Sequence, residues 1–315
     1  MSRTKRRPPA LLILAILAAM VVLYFYGGNI DLRAGLDALS QELDRWIQQL
    51  DPSLQEPFEI PDSSPLSEDA LDVSILQVGQ ADAILIQCGG QSLLLDAGES
   101  QTSDYVCDYI EDQGITKLDC VICTHPHTDH IGAMADVIEM FEPETCYVSP
   151  REHTTLTYEK LLDALEEYEV ETIIPDPGDA FTLGGAQIEF LAPLETDYEE
   201  INDCSLVCMI TYQDRRLLFT GDAQSDSESD MLDQWTNLNA DFLKVGHHGS
   251  ATSSSAAFIE AVSPAYACIT RDQLDEISPV VIERLEAVGA KIFYTYYADV
   301  LVRVENGVLS CQYAQ

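Results

Sequence analysis

Beyond about residue 70 the chain alternates short apolar runs with stretches in which apolar residues recur every three or four positions. Runs at 72–78, 82–87 and 91–96 read as strands, the last two joined by Gly89-Gly90, a hairpin signal. Helical periodicity then predicts helices over 102–113, 131–141 and 155–169, alternating with strands near 118–124, 145–149 and 171–175. A second series opens with strands near 186–192, 205–212 and 215–220. It continues with a helix near 225–236, a strand at 241–245, helices near 254–262 and 279–288, and strands at 265–270 and 291–296. The chain closes on a hairpin, 299–305 and 308–313, around Asn306-Gly307. A strand cluster followed by alternating helices and strands thus occurs twice. The pattern predicts an α/β fold of two similar halves, each a mixed sheet with helices outside, packed face to face. Residues 71–315 suffice for one large core and show no second composition break.

The first 70 residues have a different texture. Arg3, Lys5, Arg6 and Arg7 precede an uncharged apolar run from Ala10 to Tyr26, about long enough to cross a bilayer at roughly 17–25 residues per span. Residues 1–9 read as a cytoplasmic basic tail and 10–28 as a transmembrane anchor. A cleaved signal peptide shares the basic start and apolar middle. Against cleavage, no small-x-small site follows, and Tyr24 and Tyr26 are placed as interface anchors. The expectation is a single-pass cell-membrane protein with its C-terminal domain outside, secretion after cleavage being the alternative. Leu32, Leu36, Leu39, Leu43, Trp46 and Leu50 put one apolar stripe on a helix over 29–50. At under three heptads, that stripe offers weak self-association through residues 32–50, packing on its own domain, or contact with the membrane surface. Residues 51–70, with Pro52, Pro57, Pro61, Pro65 and many acids, read as an extended linker.

Charge narrows the range of partners. All 54 acidic residues but only 12 of the 16 basic ones lie beyond residue 30, a formal −42 for that portion. Such a field repels polyanions at long range and argues against loose DNA binding through a basic surface. It leaves open a substrate held by metal ions in a local cleft. The nine cysteines are scattered singly along apolar segments, an odd number without the spacing of a disulfide framework. Cys120 and Cys123 have metal-knuckle spacing, but with no second pair they read as small hydrophobes in a strand.

Five of the six histidines fall in two clusters. The first is Thr-His-Pro-His-Thr-Asp-His at 124–130, immediately after the apolar run 118–123. A strand ending in such a loop can turn His125, His127, Asp129 and His130 toward one point, and neutral imidazole and carboxylate are the usual ligands of zinc and related metals. The second is Gly246-His247-His248-Gly249-Ser250, preceded by a lone carboxylate, Asp222, in Phe-Thr-Gly-Asp. No phosphate-binding glycine loop, nucleotide fingerprint or Gly-x-Ser-x-Gly elbow appears, which leaves metal-assisted hydrolysis as the chemistry. A bound zinc-like ion lowers the pKa of its water to about 7.

These motifs resemble the signature of the metallo-β-lactamase superfamily. The wider set is closer to one branch, the extracellular hydrolase domain of ComEC-type competence proteins and stand-alone relatives. The matching pieces are 78–86, 93–98, the histidine loop, 202–207, 218–222 and 243–250, in the family's order over roughly 72–310. The resemblance implies an αββα sandwich with a site along one edge that binds one or two divalent ions, Zn or Mn. It implies His125 and His127 as ligands of a first metal, Asp129 and His130 of a second, and Asp222 as a bridge. Asp129, His130 and Asp222 then carry catalysis, and Asp96 is an acid beneath the histidine loop. Of the paired histidines, His248 is the preferred ligand, and His247 either orients a ligand or contacts substrate. Asn202, Ser205, Lys244 and Ser250 are polar groups near the motifs suited to contacting a phosphate, Asn202 alternatively stabilising its own turn. One departure stands out. Relatives often carry an Asn-x-x-Gly-His-Pro loop before the last long helix, whereas residues 271–279 here hold no histidine and place Glu276 roughly where it would be.

Three functions follow for comparison. The first is a membrane-anchored extracellular phosphodiesterase or nuclease, with DNA or another phosphodiester as substrate. The second is a hydrolase of a small ester, lactone or cell-envelope phosphodiester, which an acidic surface hinders less. The third is a non-catalytic, metal-stabilised binding module.

Overall fold

The computed structural model describes residues 69–314. The basic tail, the anchor at 10–28, the helix at 29–50 and nearly all of the linker lie outside these residues. Within them, no helix is long and apolar enough to cross a membrane.

The first half runs β1 (Ala70–Ile75), β2 (Ala83–Cys88), β3 (Gln91–Ala97), α1 (Ser103–Asp112), β4 (Cys120–Cys123), α2 (Thr128–Ile131), α3 (Met134–Phe141), β5 (Thr145–Val148), α4 (Leu156–Glu167) and β6 (Glu171–Ile173). The second runs β7 (Ala180–Leu183), β8 (Ala186–Ala192), β9 (Val207–Tyr212), β10 (Arg215–Phe219), α5 (Ser225–Gln234), β11 (Phe242–Lys244), α6 (Ala256–Val262), β12 (Tyr266–Ile269), α7 (Pro279–Ala287) and β13 (Lys291–Tyr294). The closing hairpin, β14 (Val300–Glu305) and β15 (Val308–Tyr313), returns to the first sheet beside β1. The sheets are ordered β15-β14-β1-β2-β3-β4-β5-β6 and β13-β12-β11-β10-β9-β8-β7. Each is antiparallel at one end and parallel at the other, parallel from β3 to β6 and from β10 to β13.

Alternation along the strands sorts the core into three layers. Leu93, Leu95 and Ile122 point into the space between the sheets, where they meet Ile188, Phe190, Phe219 and Phe242 of the second half. Their neighbours Leu94, Val121 and Cys123 point outward onto α1, α3 and α4. Leu218, Leu243 and Ala267 do the same beneath α5, α6 and α7. Strands buried on both faces read as continuous apolar runs, which is why the central parallel strands β3, β4, β11 and β12 were legible from sequence. The result is the αββα sandwich.

Three local readings need correction. The helix expected over 131–141 is broken into α2 and α3; Ile131 and Met134 face the same core, so the apolar period runs across the break and hides it. The strand expected over 72–78 stops at Ile75, and the chain turns through 76–82 toward the site. Strand β7 was not expected. It is an edge strand with a largely exposed, alternating face, and Phe181 stacks on Tyr147 with ring centroids 4.7 Å apart. All the parallel strands end at one edge of the sandwich, and the histidine and aspartate loops leave from those ends.

Candidate metal centre

Strand β4 delivers Thr124 and the histidine loop to the edge, and β3 delivers Asp96 beside it. Asp96 is fully buried. Its Oδ1 accepts the Thr124 N–H at 2.8 Å, and its Oδ2 accepts the Thr124 hydroxyl and His130 Nδ1–H, both at 2.7 Å. Since the Thr124 hydroxyl proton goes to Asp96, its oxygen accepts from His125 Nδ1 at 3.2 Å. His125 and His130 therefore carry a proton on Nδ1, which leaves Nε2 as the nitrogen each can offer to an ion, as outer carboxylates commonly arrange. His130 Nε2 lies 3.3 Å from Asp222 Oδ2 and 3.9 Å from Asp129 Oδ2. His125 Nε2 lies 3.1 Å from His127 Nδ1 and 4.0 Å from Asp222 Oδ2.

The second half supplies the remainder. Asp222 follows β10 through Gly221, whose φ of +50° and close approach leave no room for a side chain. A Cβ there would sit 2.9 Å from Thr124 Cβ, so this glycine lets the two motif loops touch. His248 leaves β11, and its Nε2 lies 3.4 Å from Asp129 Oδ2 and 3.5 Å from Asp222 Oδ2. Its Nδ1 meets the Thr270 hydroxyl at 2.9 Å, and that hydroxyl donates to Asp82 Oδ1 at 2.6 Å. The same argument fixes the His248 proton on Nδ1. Behind Asp82, Lys244 forms a fully buried ion pair at 2.6 Å. His247 and His248 both have positive φ, 46° and 50°, an uncommon conformation for these residues that turns both rings toward the site.

Asp129, His130, Asp222 and His248 thus bring four ligand atoms within 4.8 Å of one another. His130 Nε2, His248 Nε2 and Asp222 Oδ1 are buried and have no hydrogen-bond partner. Buried polar atoms left unpaired cost free energy, and a set of imidazole and carboxylate donors converging on one point is the chemistry a divalent cation satisfies. The residues fit such an ion.

Electrostatics divides the cluster in two. Burial disfavours charge on His130 and His248, but the carboxylates of Asp222 with Asp96, and of Asp222 with Asp129, outweigh it. His130 is raised well above the ordinary imidazole range and His248 to about 9. Burial likewise works against the charge on Asp222 and Asp129, yet the neighbouring imidazoles hold both below the usual carboxylate range. His125, His127 and His247 are lowered instead, chiefly by burial. One side of the cluster draws in positive charge, and the other presents neutral rings.

The remaining sequence candidates fall into place around this centre. His247 stands at the rim, 27 % exposed, its Nε2 3.9 Å from Asp222 Oδ2 and 3.3 Å from Asn202 Nδ2. Asn202 Oδ1 is buried and unpaired. Lys244 is enclosed with Asp82 and Ser205 is buried, its hydroxyl accepting the Asp222 N–H at 3.2 Å, so neither reaches a substrate and both brace the loops. Ser250 meets Thr252 at 3.1 Å. Glu276 lies outside the four-atom cluster and pairs with Arg271 at 2.7 Å, and Arg271 donates to the His248 carbonyl at 3.3 Å. Asp82, Thr124 and Thr270 were not singled out from sequence. Asp82 lay inside the quoted 78–86 motif, the one signal that pointed to it.

A family model described as "Metallo-beta-lactamase superfamily" matches residues 76–269. Among curated proteins, ComE operon protein 3 of Bacillus subtilis is 27% identical over 217 residues, 63% of this chain and 28% of that protein. Competence protein ComA of Neisseria gonorrhoeae is 27% identical over 242 residues, 75% of this chain and 32% of that protein. The chain therefore spans about a third or less of the length of these relatives. Among solved structures, CmlA of Streptomyces venezuelae, a diiron β-hydroxylase, superposes with a TM-score of 0.50 at 11% identity, over 80% of this chain and 55% of that one. That likeness concerns the fold alone.

Proposed function

Because the chain belongs to the metallo-β-lactamase superfamily, we propose that it is a divalent-metal-dependent hydrolase of phosphodiester bonds, DNA among them, held outside the cell membrane by residues 10–28. The observation that carries this reading is the convergence of Asp129, His130, Asp222 and His248 on one point, with buried nitrogens and a carboxylate oxygen lacking any other partner. The likeness to a protein named for competence is what favours nucleic acid among phosphodiesters.

Asp129, His130 and His248 would hold one ion, and His125, His127 and the rim His247 a second, with Asp222 between them. Zn and Mn both suit these donors. When bound, such an ion lowers the pKa of a coordinated water toward about 7 and draws charge from a phosphoryl oxygen. The rest is the work of the chain. Asp96 and Thr124 hold His130 and His125 in one tautomer, and Thr270 with Asp82 does so for His248. Asp129, 28 % exposed where Asp222 is 2 %, is the more accessible of the two carboxylates and would orient the attacking water.

A second reading is favoured by the charge. A formal −38 over the chain hinders approach of a long polyanion and hinders a small ester, lactone or cell-envelope phosphodiester less. One experiment separates these. The full-length chain is stripped, reloaded with Zn or Mn, assayed for bound metal, and offered single-stranded DNA, chromogenic phosphodiesters, phosphomonoesters and lactones. Phosphodiester cleavage by the loaded chain alone is the expected result. Turnover of lactones alone would transfer the assignment to the second reading, and stoichiometric metal without any turnover to a binding module. A chain that takes up no metal defeats all three.

A further inference from the structure

Ten lysines and arginines lie within residues 69–314 of this strongly acidic chain. Eight have their cationic heads on a carboxylate, a backbone carbonyl or a ring, from the buried Lys244–Asp82 pair to the exposed Lys117–Glu144. Two have no such partner among the described residues. Lys160 is exposed on α4; Arg151 is half-buried on the loop between β5 and α4.

That loop is anchored against the site. The Ser149 hydroxyl donates to the Cys204 carbonyl at 2.7 Å and accepts the Arg151 N–H at 3.2 Å. Arg151 is thereby tied to the 3₁₀ turn Ile201–Cys204, which carries Asn202 and so reaches His247. Two residues further on, His153 stands edge-on to His127, with ring centroids 6.0 Å apart. Its Nδ1 lies 3.2 Å from the Thr155 hydroxyl, whose oxygen also accepts the Tyr158 N–H and caps α4. That contact engages Nδ1 and leaves Nε2 as the ring nitrogen of His153 that can meet a ligand. The loop thus reaches one rim histidine, His127, through His153 and is tied to the turn whose Asn202 meets the other, His247, while the Arg151 guanidinium acts on Cys204 of that same turn.

A half-buried guanidinium gives up water and, in a chain so rich in carboxylates, takes none in exchange. An anion supplied by a ligand restores the balance. The planar fork of arginine matches two non-bridging phosphoryl oxygens, which an ammonium does not. We propose that Arg151 and His153 form an oxyanion subsite that receives the phosphoryl group of the substrate, Arg151 through two parallel hydrogen bonds and His153 through one. The identity of the substrate rests on the phosphodiester reading above; the subsite's test needs no turnover.

Inorganic phosphate is titrated by calorimetry into the full-length, Mn-loaded chain, for wild type, R151Q, R151K and H153A, with metal content measured on the same samples. R151Q is expected to weaken phosphate about ten- to hundredfold, the range for a charged forked contact. R151K should weaken it less and H153A several-fold, all with unchanged metal content. Phosphate that binds R151Q as tightly as wild type, or fails to bind wild type, overturns the subsite. So does parallel loss of metal and phosphate, which would make Arg151 a brace for the cluster. Failure of the functional reading looks different: phosphate affinity that depends on Arg151, in a chain that cleaves no phosphodiester, keeps the subsite and removes the activity.

Discussion

Behind His130 stands Asp96, bonded to the ring directly at 2.7 Å; behind His248 stands Asp82, one hydroxyl further away through Thr270. The first half of the sandwich leaves Asp96 fully buried with no cation but His130 beside it, and burial raises its carboxyl above the usual range. The acid behind His248 also comes from the first half, but a lysine of the second half, Lys244, closes it at 2.6 Å. Both supports thus place a proton on the same nitrogen of a buried histidine. Only one of the two acids has a lysine beside it, and the difference separates two roles. Asp96, with Asp129 and Asp222, adds to the cluster's demand for positive charge, whereas the charge of Asp82, which also acts on His248, is offset by Lys244, and the pair serves as a structural post.

The largest effect belongs to the residues where the halves meet. Asp129 comes from the first half and Asp222 from the second, and both carboxylates lie within reach of His130 and His248. D129A and D222A are each expected to lower hydrolysis by orders of magnitude and to reduce bound metal, with the circular dichroism of the fold unchanged. A D129A chain as active as its parent would break the picture of one shared centre.

Next comes the lysine that only one of the two supports has. K244M leaves Asp82 charged, buried and alone, and breaking a buried pair from one side costs about 3–5 kcal/mol. For a domain of this size that lowers the melting temperature by roughly 10 °C. Adding D82N removes the stranded charge while keeping an acceptor for Thr270, so the double variant should recover most of the loss. If K244M melts with the parent, the pair is no post and the contrast between the two supports fails.

D96N has no such compensation to lose. An asparagine at this position offers one carbonyl oxygen to groups that now use two carboxylate oxygens, and His130 is left without a firm tautomer. Loss of an outer partner of this kind typically costs 10–100-fold in metal affinity, and chelator competition would measure it. The same variant should change the melting temperature little, because removing an uncompensated buried charge offsets the lost hydrogen bonds.

How much of this could be read in the sequence follows the same division. The histidine loop is local, six residues from His125 to His130 at the end of an apolar strand, and its convergence with Asp222 and His248 was implied by the family resemblance rather than by any pattern along the chain. The two-sheet sandwich was legible because strands buried on both faces print unbroken apolar runs. Its edge strand β7, half of it exposed, printed too little to be seen. The post behind His248 was illegible for another reason. Asp82, Lys244 and Thr270 lie on three separate strands or strand ends, and each looks ordinary where it stands. Lys244 and Ser205 therefore read as phosphate contacts when nearness in sequence to a motif was the only guide. In the fold they point inward, and the half-buried cation without a partner among the described residues lies elsewhere, at Arg151.

The smallest expected effect concerns the two threonines, and it turns on geometry already present. Thr124 serves two histidines and Asp96, with contacts of 3.2, 3.4 and 2.7 Å. In T124V the His125 Nδ1–H loses its acceptor and nothing else is placed to replace it, so metal affinity should fall about tenfold or more. Thr270 serves His248 alone, and Asp82 Oδ1 already lies 3.6 Å from the same ring nitrogen. A shift of less than an ångström by Asp82 would give T270V the direct carboxylate–imidazole bond that Asp96 makes to His130. T270V should therefore lose less than the roughly tenfold lower bound for an outer partner. Chelator competition on T124V and T270V side by side reads the difference. Equal losses would mean that the hydroxyl in the second half is a required link, and that the two supports are not variants of one arrangement.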